Sequence, residues 1–211
     1  AAVTVESGSL AKLLSACVFP AGLSMVILAG SELFTGNCLM VMALLERRIT
    51  PVQLLRNWLT VYLGNAVGGA AVAALAVYSH TASLFGDGLA RSMVSIAESK
   101  AALGAGDAFL RGVLCNFLVC LAVWMAAASK RAEGKVIALF FPILLFVLCG
   151  YEHCIANLYY LPAGAFAAAE YGMETTLTLA GCLKNLAAVT LGNLVGGAAL
   201  GVGYRFAYLK E

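Results

Sequence analysis

The octapeptide GSELFTGN at residues 30–37 lies inside a long apolar stretch, and GYEHCIAN at residues 150–157 lies inside another. Both follow the pattern G-x-E-x4-N, which places a glutamate within each apolar run. A second motif, L-G-N-x-V-G-G-A-A, occurs at residues 63–71 and again at residues 191–199. The two pairs keep the same order and nearly the same offset, which chance similarity between Gly/Ala-rich helices does not explain. The chain therefore contains an internal repeat.

The composition around these motifs indicates a membrane protein. Of the 211 residues, 62% are hydrophobic and 11% are charged, with a mean hydropathy of +0.92. A soluble domain averages about 45–50% apolar and about 25% charged residues. A domain of this size cannot hide so much apolar surface from water, so we expect a lipid bilayer around it. The net charge of +2 and the lack of a basic cluster with interleaved aromatic residues argue against nucleic-acid binding.

Seven cysteines lie in or beside the apolar runs, and none forms a CxxC pair. The neighbours His153 and Cys154 are too close in sequence to chelate a metal well. We therefore expect reduced thiols, no metal and no cofactor. The start, Ala1–Leu10, lacks the pattern of a signal peptide.

The chain divides into hydrophobic units that can be compared with the length of a membrane span, about 20 mostly apolar residues. The first and fourth units are too long for one straight crossing, and each has its acid near the middle. We predict that both are broken helices with a non-helical break near the bilayer centre. The units are Leu13–Leu45, Asn57–Ser79, Gly112–Ser129, Val136–Ala169 and Asn185–Tyr204.

The repeat predicts a further span. Units four and five repeat units one and two, so unit three needs a counterpart, which we expect upstream of Ala1 or near the junction at Ser7–Gly8. The predicted fold is a single all-α integral membrane domain over residues 1–211, built as an inverted repeat as in many transporters. Repeat one covers about 8–79 and repeat two about 107–208, with five spans visible here and six expected in the natural protein.

Basic residues in short loops predict the orientation. The loops after units one and three and the end of the chain are basic, whereas the other two loops are balanced or acidic. We therefore place both termini in the cytoplasm and the protein in the cell's inner (cytoplasmic) membrane, with several passes. The basic residues are Arg47, Arg48, Arg56, Lys130, Arg131, Lys135, Arg205 and Lys210.

A broken helix leaves backbone N–H groups unpaired and a partial positive charge at the start of its second half. Two such ends that meet at the midplane form a weak anion trap, and free backbone is tolerated in a membrane only in a cavity or inside protein. These features predict a pore. An acid near the bilayer centre costs about 2.5–3.5 kcal/mol, so Glu32 and Glu152 are functional candidates, with a purely structural role as the alternative.

Five residues lie around the two predicted breaks. Leu33, Phe34 and Phe146 would narrow the path and remove water from a permeant, and Thr35 and His153 would supply hydrogen bonds. A histidine that only packs in the span is the alternative for His153.

Other polar residues of the spans need partners. Asn116 is expected to pair with Glu152. Asn65 and Asn193 would hydrogen-bond the broken backbone, or else serve as helix-packing amides. Pro142 lacks a donor and is expected to help end the first half of the fourth unit.

Taken together, the motifs resemble those of the formate/nitrite transporter family, from about residue 10 to the end of the chain. The resemblance implies a homopentamer of aquaporin-like protomers, each with its own pore, around a central hole that carries no substrate. The motifs are residues 30–37, NWL at 57–59, GN at 64–65, LCNFLVCLAVW at 114–124, residues 150–157 and VTLGNLVGG at 189–197.

The resemblance also assigns roles to residues of this sequence. It implies a first break around Leu33–Asn37 and a second around Ile143–Gly150. Lys100 would attract anions in a vestibule, with a solvated loop lysine as the alternative. The remaining roles are constriction for Leu33 and Phe146, a pore hydrogen-bond pair for Thr35 and His153, and a polar network for Glu152, Asn116 and Asn193.

Permeants of this family are small monovalent anions of weak acids, and we expect formate first, then nitrite or hydrosulfide. A bare anion would lose much solvation in a dry constriction, so we expect it to take a proton, from water or through His153, and to cross as the neutral acid. His153 could also gate by pH, since its unperturbed pKa is about 6.5. The alternatives are an aquaporin-like neutral-solute channel, whose Asn-Pro-Ala motifs are absent, and an intramembrane enzyme that uses Glu152 and His153.

Overall fold

The computed structural model describes residues 4–208, which are helical apart from short connections. The segments Cys38–Met40 and Thr81–Ser83 are short 3-10 turns. The α-helices of the described residues are α1 (Gly8–Val18), α2 (Pro20–Ala29), α3 (Phe34–Asn37), α4 (Val41–Leu45), α5 (Pro51–Tyr78), α6 (Gly88–Ala102), α7 (Ala105–Ala128), α8 (Ala132–Leu148), α9 (Cys154–Glu170) and α10 (Leu179–Tyr208).

Within residues 4–208, four helical segments are long and apolar enough to cross a membrane: Gly8–Ala29, which joins α1 and α2, and the single helices α5, α7 and α10. The fourth predicted unit is split into α8 and α9, each 17 residues long, so neither half qualifies alone. The first unit is likewise split between α2 and α3. The predicted all-α membrane fold with two broken helices is confirmed. At the junction Ser7–Gly8 the structure shows only the start of α1, so the sixth span stays a prediction. Lys210 lies outside the described residues.

Both breaks exist, but they lie elsewhere than the predicted bounds. The first spans residues 30–33 and the second residues 149–153. The reason is the first glycine of each repeated motif. Gly30 has φ 71° and Gly150 has φ 69°, a left-handed conformation that ends a helix and that glycine adopts without strain.

The predicted role of Pro142 is wrong. Pro142 lies inside α8, which continues to Leu148 before the chain turns. A membrane helix tolerates a proline because its neighbours can satisfy the one freed carbonyl, whereas unwinding here would expose several backbone groups.

The helix pair α7 and α10 forms the closest backbone packing of the second repeat. A Cβ added at Gly192 would lie 2.2 Å from the carbonyl oxygen of Phe109, and one added at Gly196 would lie 2.1 Å from that of Val113. Only glycine allows this approach. This close packing on α7 sets the position of α10, and α10 carries Asn193 beside the start of α9.

Helix α6 connects α5 to α7 and packs on α9. The contact is close, since a Cβ added at Gly164 would lie 2.3 Å from the Cβ of Ala97. Lys100, for which the alternative was a solvated loop residue, lies in the last turn of this helix and is mostly buried. The α6–α9 contact therefore holds Lys100 beside the second break.

Candidate functional site

The first break is held by the side-chain amide of Asn65 on α5. Its Oδ1 accepts a hydrogen bond from the backbone N–H of Phe34 at 3.1 Å, and its Nδ2 donates to the carbonyl oxygen of Glu32 at 3.0 Å. One side chain thus satisfies the backbone on both sides of Leu33.

The second break is held in the same way by Asn193 on α10. Its Oδ1 accepts from the backbone N–H of Cys154 at 2.8 Å, and its Nδ2 donates to the carbonyl oxygens of Glu152 and Gly112 at 3.0 and 2.8 Å. Asn65 and Asn193 therefore hydrogen-bond the broken backbone, and the alternative of amides that only pack between helices does not describe them.

The glutamate and asparagine of the repeated motif also contact each other. At the first break Asn37 Nδ2 donates to Glu32 Oε2 and, at 2.9 Å, to Asn57 Oδ1. The spacing of five residues carries the asparagine from the first turn of the second half-helix back to the carboxylate. This contact explains the pattern G-x-E-x4-N.

The second break repeats this cluster and adds a cation. Asn157 Nδ2 donates to Glu152 Oε2 at 2.8 Å and to Asn185 Oδ1 at 2.7 Å. Lys100 Nζ lies 2.9 and 3.0 Å from the two carboxylate oxygens of Glu152, and Asn185 Nδ2 donates to the Lys100 carbonyl. No such cation reaches Glu32 among residues 4–208.

His153 caps α9 and reaches across to the first break. Its Nδ1 accepts the backbone N–H of Ala156 at 3.0 Å, and its Nε2 lies 3.0 Å from Thr35 Oγ1. Because a backbone N–H can only donate, Nδ1 carries no proton in this arrangement, and the ring proton of the neutral imidazole lies on Nε2. Nε2–H then donates to Thr35, whose hydroxyl hydrogen is left for another acceptor. The predicted pair of Thr35 and His153 is formed.

The partner predicted for Asn116 is wrong. Its Nδ2 donates to the carbonyl oxygens of Thr35 and Asn193, at 3.2 and 2.7 Å. The carboxylate of Glu152 points instead to Lys100 on α6. Asn116 is fully buried and ties α3 to α10 through their backbone carbonyls.

An apolar cavity of ≈ 230 Å³ lies between the breaks. Leu33 and Phe146 line it as predicted, together with Phe19, Leu23 and Val119. The rings of Phe19 and Phe146 meet edge to face with centroids 5.3 Å apart. This cavity offers a permeant almost no hydrogen-bond partners apart from His153.

A larger cavity, here called the vestibule, has a volume of ≈ 560 Å³ and is lined by Lys100 and Glu152 among others. Among the residues that the structure describes, four line both cavities: Phe19, Phe146, His153 and Ala156. The Phe146 ring stacks on the His153 ring at 5.9 Å with an interplanar angle of 21°. Phe146 and His153 therefore form the boundary between a charged space and an apolar one.

Phe34, the other predicted constriction residue, lines neither cavity. It is buried, and its ring packs edge to face against Tyr62 at 5.0 Å and Trp58 at 6.5 Å. It anchors the first turn of the second half-helix against α5.

Among the lining residues that were not predicted are Phe19 and Leu23 of the apolar cavity, and Lys12 and Arg111 of the vestibule. Phe19 and Leu23 are four residues apart, the spacing of one helix face, but nearly all of residues 19–29 are apolar and no face stands out in the sequence. Lys12 and Arg111 each lie at the edge of an apolar run, where a basic residue ordinarily faces water. Among the described residues, no group of three His, Cys, Asp or Glu side chains could hold a metal ion.

The comparisons with known proteins agree with this geometry. The family model "Formate/nitrite transporter" matches residues 1–207. The chain is 39% identical to a probable formate transporter of Methanothermobacter thermautotrophicus, over 96% of this chain and 77% of the relative. It is also 39% identical to a formate channel of Haemophilus influenzae, over 93% of this chain and 74% of the relative.

Two solved structures share the fold. An "FNT family ion channel" superposes with a TM-score of 0.87 at 33% identity, covering 97% of this chain and 80% of that one. A "pentameric formate channel with formate bound" gives a TM-score of 0.85 at 31% identity, covering 99% and 87%. These relatives are channels and transporters rather than enzymes. The chain is a multi-pass membrane protein that belongs to the formate/nitrite transporter family.

Proposed function

We propose that this protein conducts small monovalent anions of weak acids across the membrane, formate first and nitrite or hydrosulfide as further substrates. The formate channels and transporters among its relatives support this assignment. The observation that carries it is the order of the two cavities, a charged vestibule that leads past Phe146 and His153 into an apolar space.

The apolar cavity requires that the charge be removed. The idealised cost of moving an ion from water into a medium of low dielectric is about 20 kcal/mol. Lys100 and the positive amino-terminal end of α9 draw the anion to the boundary, and desolvation there favours its protonated form. The neutral acid then passes Phe146, Phe19 and Leu33.

The proton has two routes in this proposal. It comes from water in the vestibule, or through His153 and the hydroxyl of Thr35, which are joined at 3.0 Å. The neutral imidazole already satisfies both of its hydrogen bonds. A fully protonated ring would therefore have to release the N–H of Ala156, which favours the route from water.

Five such chains would form a homopentamer, as in the formate-bound relative, with a separate pore in each protomer. The basic residues of the short loops support a cytoplasmic C-terminus, and we propose that the protein lies in the inner membrane.

Reconstitution into liposomes tests the function. We expect saturable uptake of formate, faster at low pH, and no faster uptake of glycerol than in empty liposomes. Nitrite and hydrosulfide measured at the same pH values rank the substrates. The variant Ala156→Trp, which places an indole where the two cavities meet and keeps the Ala156 N–H, is the blocked control. Glycerol uptake without formate uptake would overturn the proposal.

A further inference from the structure

The charge of the vestibule does not come from Lys100 alone. Among the described residues, Lys12, Lys100 and Arg111 are the basic side chains that line it, and Glu152 is the acidic one. Lys100 and Glu152 form a close ion pair, with Nζ 2.9 Å from Oε1, and both are mostly buried. The two charges of this pair largely cancel at a distance. Most of the positive potential that an approaching anion meets therefore arises from Lys12 and Arg111.

Both residues lie beside the second break, on two different helices. Lys12, on α1, puts its Nζ 3.8 Å from the position of a Cβ on Gly150. Arg111, on α7, is fixed through its backbone, because its carbonyl oxygen accepts the N–H of Glu152 at 3.3 Å. Two helices that are far apart in sequence thus bring cations to the same turn of the chain, on the vestibule side of Phe146.

Neither cation is neutralised by the part of the chain that the structure describes. The ion pairs found there are Lys100–Glu152, Arg131–Glu133 and Arg205–Glu46. Lys12 and Arg111 are both exposed, and their side-chain donors have no protein acceptor within residues 4–208. Their five guanidinium donors and three ammonium donors are available to a ligand, and a guanidinium fits a planar carboxylate with two parallel bonds.

We infer that Lys12 and Arg111 together form an anion-capture site in the vestibule, which binds a small monovalent oxyanion such as formate before it reaches the boundary at Phe146 and His153. This inference rests on the proposed function. It adds a step before the ion pair of Lys100 and Glu152, and it assigns capture to two residues outside that pair. The site raises the local concentration of the anion and leaves the later crossing unchanged.

The variants Lys12→Gln, Arg111→Gln and the double variant test the site in liposomes. We expect each single change to raise the formate concentration at half-maximal flux about three- to tenfold, and the double change to raise it further, with the maximal flux kept. Adding an inert salt should weaken formate uptake by the wild type and have little effect on the double variant, because salt screens exposed charges.

Two sets of controls separate charge from structure. Lys184→Gln removes an exposed lysine next to Asn185, which bonds to Lys100, but Lys184 does not line the vestibule. We expect no change in half-maximal concentration for this variant. Lys12→Arg and Arg111→Lys keep the charge and should keep most of the wild-type affinity. A purely structural role would give the reverse, a loss of maximal flux without a change in salt dependence.

Binding is measured separately from conduction. Line broadening of ¹³C-formate by the detergent-solubilised protein should be seen with the wild type and Lys184→Gln and be lost in the double variant. Failure of the wild type to conduct formate would overturn the proposed function, whereas unchanged half-maximal concentration and unchanged line broadening in the double variant would overturn the capture site.

Discussion

At the scale of the residue, His153 is both a structural and a chemical group. One ring nitrogen caps the start of helix α9 and the other bonds to the opposite break. These two tasks can be separated, because asparagine is also a good N-cap but does not titrate.

His153→Asn should therefore fold, assemble and remain in the membrane, while losing any part of the pH dependence of flux that comes from the imidazole. Formate flux measured between pH 5 and 8, as a ratio of variant to wild type, reports this part. A ratio that stays constant over the whole range would remove His153 from the pH response. The proton would then come from water alone.

Asn193 and Asn65 perform the same hydrogen bonding in different surroundings. Asn193 is fully buried and bonds to three backbone groups, whereas Asn65 is only partly buried and bonds to two. Leaving a buried polar group unsatisfied costs about 1–3 kcal/mol.

We therefore expect Asn193→Ala to lower the thermal stability of the solubilised protein clearly more than Asn65→Ala, by a margin of about 1–3 kcal/mol. Thermal unfolding followed by circular dichroism in detergent measures both, and Asn193→Ser tests whether a smaller hydrogen-bonding side chain restores part of the loss. Equal losses of stability at the two positions would mean that burying the second break does not raise the cost of removing its hydrogen bonds.

At the scale of the element, the repeat predicts the breaks correctly and their ends incorrectly. The pattern G-x-E-x4-N indicates two interrupted helices, because an acid in the middle of a long apolar run is costly unless it faces a cavity or a polar partner. The pattern does not show that the glycine itself is the turn, and the bounds that the family resemblance implied begin too late for the first break and too early for the second. Pro142 misleads because proline is a strong signal in water and a weak one in a membrane helix.

The loop between α9 and α10 is attached to α6 by Glu98. This carboxylate accepts hydrogen bonds from the backbone N–H of Thr176 at 2.6 Å, from Thr175 Oγ1 at 2.9 Å and from Thr176 Oγ1 at 3.1 Å. The bond from the Thr176 N–H is the largest of the causes that hold the pKa of Glu98 below its usual value, followed by that from the Thr175 hydroxyl.

A lowered pKa means that the charged form is the one that binds the loop. The attachment is therefore complete above the ordinary pKa of a glutamate and is lost as the pH falls through the lowered value. We expect the Thr176 amide to exchange with solvent faster in Glu98→Gln than in the wild type at neutral pH, and the two rates to converge in acid. Hydrogen exchange read by mass spectrometry checks this, and identical rates at neutral pH would contradict it.

At the scale of the whole molecule, the proposed pentamer makes a prediction about additivity. If each protomer carries its own pore, a blocked protomer removes only its own share of the flux. Pentamers mixed from the wild type and Ala156→Trp in known ratios should conduct formate in linear proportion to the wild-type fraction. A shared path that one blocked protomer closes would instead give a steep, convex dependence on that fraction, below the straight line.

The sequence predicted which polar residues belong to the site better than it predicted their partners. Glu152, His153, Asn116, Asn193 and Lys100 all lie at or beside the second break. Lys100 and Glu152 meet only because α6 packs on α9, and that contact depends on Gly164 and Ala97, which carry no visible signal. Which side chains on different helices meet depends on how the helices pack. The sequence of a single chain carries no periodic pattern that reveals this packing.

The two halves of the molecule hold their breaks with equivalent amides but carry unequal charge. Glu152 has a lysine against it and two further cations nearby, whereas the carboxylate of Glu32 bonds to Asn37 alone among the residues that the structure describes. Formate that arrives from opposite sides of a bilayer would thus meet unequal electric fields. The pore should be kinetically asymmetric, so that import and export of formate saturate at different concentrations.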